Sequence, residues 1–316
     1  MGNKWRYRFV LGLCLLGIGI QIYPVLREKK AKEAQEGQIQ SFVKSREAGP
    51  ASGEGKGEPA EGEPGGAGQE PGERDALYAQ MEDYNERICR ENQSGLKDVF
   101  SYEQNPFDLS ALELEDDMIG YLEIETLDLI LPLYIGASKE NMRKGAVVLS
   151  ETSMPIGGKD TNCAIAAHRG GANGDQSFKN IEQLETGEEI RITNAWETLT
   201  YVVAKQIVIE PNDVEAIKII PDQDMITLFT CHPYGFNSHR YVVYAKRKEE
   251  GQERDGGQEP KTSQEEDPAL PGSLAYELSG DKIEQERKIN AVALGCSVMI
   301  TLAIIGVGIK DRFGRK

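Results

Sequence analysis

The sequence predicts a mainly β domain of many short strands, a sandwich or closed barrel, set between two apolar terminal segments. Three observations predict it. Over residues 118–248, apolar runs rich in Val, Ile, Leu and Tyr are bounded by Gly, Pro, Asn and Asp. Branched and aromatic side chains suit a pleated surface, and the bounding residues suit tight turns. Residues 9–26 and 289–309 are each apolar over a length that fits a bilayer. The stretches between these blocks turn to Gly, Glu, Pro and Gln, a composition too polar to bury a core.

Each element follows in order. Residues 1–8 form a short tail in which Lys4, Arg6 and Arg8 precede the first apolar segment. No small-residue cleavage site follows 9–26, so this segment reads as an uncleaved signal anchor. Residues 27–76 read as a disordered linker. Within 77–117, Leu77, Met81, Tyr84 and Ile88 recur at helical spacing and predict an amphipathic helix. Strands are expected at 119–124, 127–131, 145–149, 163–167, 189–192, 198–203, 205–209, 225–229 and 240–244, with a short helix over 176–184. Residues 249–288 read as an acidic linker, and 289–309 as a second span. The tail 310–316 carries Lys310, Arg312, Arg315 and Lys316, which places it on the cytoplasmic side. With two spans, both termini are cytoplasmic and the β domain is extracellular.

The chain has 316 residues, 39% of them hydrophobic, and a formal net charge of −16. That balance argues against a nucleic-acid partner, which needs a basic surface. Much of the acidity falls in the two linkers, so it says little about the folded part. The cysteines Cys14, Cys89, Cys163, Cys231 and Cys296 show neither zinc-site spacing nor a C-x-x-C pair. No metal or organic cofactor is expected. Cys163 reads as a small buried hydrophobe. A Cys89–Cys163 disulfide is left open, although one reactive thiol outside the membrane suits catalysis better than a disulfide scaffold.

The most informative stretch, residues 227–240, reads Thr-Leu-Phe-Thr-Cys-His-Pro-Tyr-Gly-Phe-Asn-Ser-His-Arg. A β-rich run delivers Cys231 to a turn, and Arg240 opens the next β-rich run. A thiolate is the reactive form of cysteine, and a neighbouring cation stabilises both it and an oxyanion. Of three histidines, His168 ends an apolar run at the Gly-rich turn His168-Arg169-Gly170-Gly171, a rim position where catalytic groups concentrate. It is the candidate general acid and base. His232 and His239 read as loop residues shaping the rim, Arg169 as a turn residue with a surface role, and Tyr234 and Asn237 as turn-forming residues.

Together, Ala167-His168-Arg169-Gly170 and the 227–240 run resemble the sortase family of cysteine transpeptidases, and within it class C, the pilin-polymerising sortases. The resemblance covers 77–248. It implies a closed sortase-type β-barrel of about eight strands with short helices, an N-terminal helix and lid segment, and a transmembrane helix at each end. It implies that Cys231 attacks the Thr–Gly carbonyl of a Leu-Pro-x-Thr-Gly-like sorting signal. His168 then protonates the departing amine and deprotonates the incoming one, and Arg240 clamps substrate and oxyanion. The acyl group passes to a lysine amine of another pilin subunit. The implied partners are secreted proteins with sorting signals, pilin subunits among them, and the lipid bilayer.

Class C members carry an Asp-Pro-aromatic lid before the barrel. Asn105, Pro106 and Phe107 lie in the matching region, with Phe107 expected over Cys231. Asn105 stands where the family usually has Asp, so the ion pair to Arg240 gives way to a hydrogen bond at most, and a looser lid is expected. A plain Pro-containing turn is the other reading of this segment. Three other functions stay open: attachment of surface proteins to peptidoglycan, hydrolysis with water as acceptor, and non-catalytic binding.

Overall fold

The computed structural model describes residues 2–48, 72–96, 106–112, 117–170, 177–248 and 269–313. Its strands are β1 (Met118–Ile124), β2 (Leu129–Ile135), β3 (Ala146–Val148), β4 (Thr161–Ala166), β5 (Glu189–Asn194), β6 (Thr198–Ile209), β7 (Asp224–His232) and β8 (His239–Arg247). They close into a barrel in the order β1-β2-β3-β4-β7-β8-β6-β5. The β2–β3 and β4–β7 pairs are parallel, and the other pairs are antiparallel.

The expected runs at 198–203 and 205–209 fuse into the single strand β6. The register against β8 shifts between Val203 and Lys205, so a bulge at Ala204 bends one long strand where the sequence suggests two. The helix expected over 176–184 is shorter, a 3-10 turn at Ile181–Gln183. Cys89 and Cys163 are both free, so no disulfide joins them. Burial pushes the Cys163 thiol far up, which makes it inert packing.

Strand alternation divides the core in two. Leu122, Ile165, Ile192, Leu228 and Val243 fill the barrel interior. Tyr134, Ala166, Ile207, Phe229 and Val242 face outward and are covered by Phe42, Met142 and Ile217.

The described residues include four α-helices: α1 (Gly2–Ala48), α2 (Glu73–Arg90), α3 (Lys139–Lys144) and α4 (Gly280–Phe313). On α2, Leu77, Met81, Tyr84 and Ile88 are buried, as their spacing predicts. Its Tyr84 hydroxyl accepts from the Glu151 N–H at 2.9 Å, and Asn85 Oδ1 accepts from the Met154 N–H at 2.7 Å. These bonds seat α2 on the segment leading into β4.

Both linker expectations need correction. Residues 27–48 continue α1 instead of dissolving into a spacer. Ile39, Phe42 and Val43 sit at helical spacing and pack on the outer barrel face. Gln35 Nε2 donates to the Lys144 carbonyl and Tyr134 Oη donates to Gln38 Oε1, each at 2.9 Å. The rest of that expected linker lies outside the described residues, apart from the start of α2. In the second linker, Leu270 and Ser279 are buried, Ser273 Oγ accepts from the Val208 N–H at 3.0 Å, and α4 begins at Gly280. Segments Tyr7–Glu47 and Gly280–Gly306 are long and apolar enough to cross a membrane, and α1 and α4 pack against each other.

Candidate active site

Three neighbouring strand ends build the site. In the β7–β8 ladder, Cys231 pairs with Arg240. Strand β4 runs parallel to β7 as far as Ala166 opposite Phe229. The chain then continues beside β7: the Ala167 N–H donates to the Phe229 carbonyl at 3.3 Å, and Thr230 Oγ1 donates to the Ala167 carbonyl at 2.7 Å. His168 therefore leaves β4 level with Cys231.

Alternation sets the side-chain directions. Ala167, Leu228 and Tyr241 belong to the barrel interior, whereas Phe229 and Val242 face outward. By the same period, His168, Cys231 and Arg240 fall on the outward face of one rim. Cys231 and His168 are half-buried, and Arg240 is buried. Arg240 Nη1 donates to the Asn237 carbonyl at 3.1 Å and the His239 carbonyl at 2.9 Å. Asn237 takes a left-handed conformation with φ 61° that asparagine tolerates, which closes the turn before β8. The turn-forming reading of Asn237 matches this backbone.

The next residue on each strand faces inward, and there the sequence reading misses a network. Arg169 is 2% exposed, not a surface residue. Its Nη2 lies 2.6 Å from Glu182 Oε1. His232 Nδ1 lies 2.9 Å from the same Glu182 oxygen and 3.0 Å from Arg169 Nη1. It donates to the carboxylate in one tautomer and accepts from the guanidinium in the other. Arg169 Nη1 also donates to the Cys231 carbonyl at 3.4 Å. The His232 and Tyr241 rings lie 5.8 Å apart with their planes tilted by 36°, and both meet Tyr276 edge-on. Burial pushes the Glu182 carboxyl up, but the His232 hydrogen bond and the Arg169 charge outweigh it and hold the group below the ordinary range. Nothing in the sequence singles out Glu182, because its partners lie far along the chain.

The segment entering α4 is tied to the same place. Glu182 Oε2 accepts from the Ser279 N–H at 2.6 Å, and Ser279 Oγ accepts from the Tyr234 N–H at 3.1 Å. Burial and a hydrogen bond with Glu286 of α4 push the Tyr234 hydroxyl up to about 12, so it stays neutral. Gly170, with φ 113°, carries the turn after His168 past the Tyr234 ring; a Cβ there would sit 3.0 Å from Tyr234 Cε2.

The lid expectation fares differently. Asn105 lies outside the described residues. Phe107, just after Pro106, packs edge-on against Tyr84 of α2 with ring centroids 5.3 Å apart. Tyr84 is bonded at Glu151, before β4, so this contact seats the Phe107 ring against the α2 side of the barrel.

The closed mixed barrel thus carries a cysteine, a histidine and an arginine on adjoining strand ends. A family model for the sortase domain matches residues 122–248. Sortase C1 of Streptococcus agalactiae is 30% identical, with 56% of this chain and 91% of that chain covered and a TM-score of 0.51. The sortase C1 of GBS pilus island 1 is 26% identical, with 69% and 94% covered and a TM-score of 0.55. Sortase D of Bacillus subtilis is 24% identical over 131 residues, and the chain spans 63% of that curated relative's length. The chain belongs to the sortase family.

Proposed function

We propose that this chain is a membrane-anchored cysteine transpeptidase of the class C, pilin-joining type. One observation carries the reading: Cys231 and Arg240 are register partners at the rim, and His168 leaves the adjoining strand at the same level. The likeness to sortase C1 of GBS pilus island 1 supports the class.

The residues imply a two-stage acyl transfer. Cys231 sulfur attacks the Thr–Gly carbonyl carbon of a sorting signal, and Arg240 faces the developing oxyanion with its fixed charge. The C–N bond breaks, the departing amine takes a proton from His168, and a thioester remains on Cys231. An incoming lysine amine gives a proton to His168 and attacks the thioester. The C–S bond breaks, releasing Cys231 and an isopeptide. Terminal spans hold the barrel beside substrates in the same membrane and raise their effective concentration. Both termini are then cytoplasmic and the barrel is extracellular.

The test supplies a Leu-Pro-x-Thr-Gly peptide with and without an amine acceptor. Intact-mass spectrometry is expected to find an acyl adduct that Cys231→Ala abolishes, and amine is expected to raise product. In cells, a protein ladder is the expected product. Wall-linked monomers would indicate peptidoglycan as acceptor, amine-independent release would indicate a protease, and no adduct would indicate a binding module.

A further inference from the structure

We propose that Glu182 is a positioning residue for acyl transfer, joining the rim segment that bears His168 to the one that bears Cys231 and bolting both to the strand of chain that enters α4. This inference rests on the transpeptidase reading above.

The geometry is one of adjacency. Arg169 follows His168, and His232 follows Cys231. Glu182 Oε1 lies 2.6 Å from Arg169 Nη2 and 2.9 Å from His232 Nδ1. One carboxylate thus ties together the immediate neighbours of the candidate nucleophile and the candidate acid. Its other oxygen takes the Ser279 N–H at 2.6 Å. Glu182 does not share the outward face and has no part in bond making. Its side chain is 4% exposed, so water does not substitute for these partners. Burial of this kind is costly unless every partner is in place, so losing one lets the two segments relax apart. Reacting groups tolerate little of that: a displacement of about 1 Å costs roughly a hundredfold in rate. Ser279 contributes twice, since its hydroxyl oxygen also holds the Tyr234 N–H of the Cys231 turn. The Glu182 partnership therefore extends from the rim to the base of α4.

The experiment uses the full chain in detergent with Glu182→Gln, Glu182→Asp and Ser279→Ala. It measures kcat and KM for sorting-signal cleavage, the rate of Cys231 alkylation by iodoacetamide, and thermal unfolding. Glu182→Gln is expected to lower kcat by about tenfold to a hundredfold with KM within about twofold. Glu182→Asp is expected to restore part of kcat, and Ser279→Ala to lower it a few-fold. An unchanged kcat in Glu182→Gln overturns the proposal. So does a kcat loss that vanishes once activity is normalised to the folded fraction. If the wild type turns over no sorting-signal peptide, the transpeptidase reading fails instead. Alkylation then decides: a changed rate in folded Glu182→Gln supports positioning of Cys231, and an unchanged rate overturns it.

Discussion

The two faces of one barrel rim differ in kind. Three adjacent residue pairs divide between them: His168, Cys231 and Arg240 outward, and Arg169, His232 and Tyr241 inward. Inside, Arg169, His232 and Glu182 spend their polarity on one another in a dry setting. Outside, Cys231 and His168 are half-buried, within reach of a ligand. The same residue types thus become scaffold or chemistry according to which side of the strand they occupy. Sequence neighbours one position apart have opposite fates because the side-chain period is two.

Mutations on each face sharpen the contrast. The largest effects are expected outside. Cys231→Ala is expected to reduce acyl transfer to background while thermal unfolding stays where it was. His168→Ala is expected to cost roughly 10²- to 10⁴-fold in kcat. Arg240→Lys keeps a charge but loses the planar fork, and about a hundredfold loss in kcat/KM is expected. Peptide-cleavage kinetics check both. If any of these three unfolds the protein, the face distinction fails.

Inside, the expected loss falls on stability as well as on the positioning that Glu182 provides. Arg169→Met leaves Glu182 buried without its cation and is expected to cost about 3–5 kcal/mol, read by urea unfolding. Replacing the pair together, Arg169→Met with Glu182→Leu, is expected to recover much of that loss. Acid offers a gentler probe. The folded-state pKa of Glu182 is depressed, so its contribution is fully present above the ordinary glutamate value. It is lost as pH falls through the depressed folded value. Stability measured across that acid window is expected to fall less steeply in Glu182→Gln than in the wild type. The smallest effect is expected from Tyr234→Phe, which removes the bond to Glu286 and is expected to cost about 1 kcal/mol in thermal unfolding.

The outward constellation was legible because its residues sit in two compact sequence patterns whose strands are periodic on either side. The inward one was not. Arg169 carries the same local signature as a surface turn residue, and its carboxylate partner stands within an unremarkable Ile181-Glu182-Gln183 turn. Only the closure of the barrel brings His232 to them. The expected linkers erred for a related reason. Composition averaged over 27–76 hides Ile39, Phe42 and Val43, which form one helical stripe against the barrel. A few well-spaced apolar side chains suffice when a partner surface exists, and no count of Gly and Glu reveals that surface. Phe107 illustrates the converse: its motif position suggests Cys231 as a neighbour, whereas nothing in the motif announces its contact with the Tyr84 ring.

The hydrogen bonds made by Ser279 bear on how a water-soluble version of this protein is cut. Ending the polypeptide after the last barrel strand would remove the N–H that Glu182 accepts and the oxygen that holds Tyr234. The Tyr276 ring beside His232 would go too. A trimmed form that stops beyond Gly280 keeps all three, and its turnover is the better guide to the intact protein.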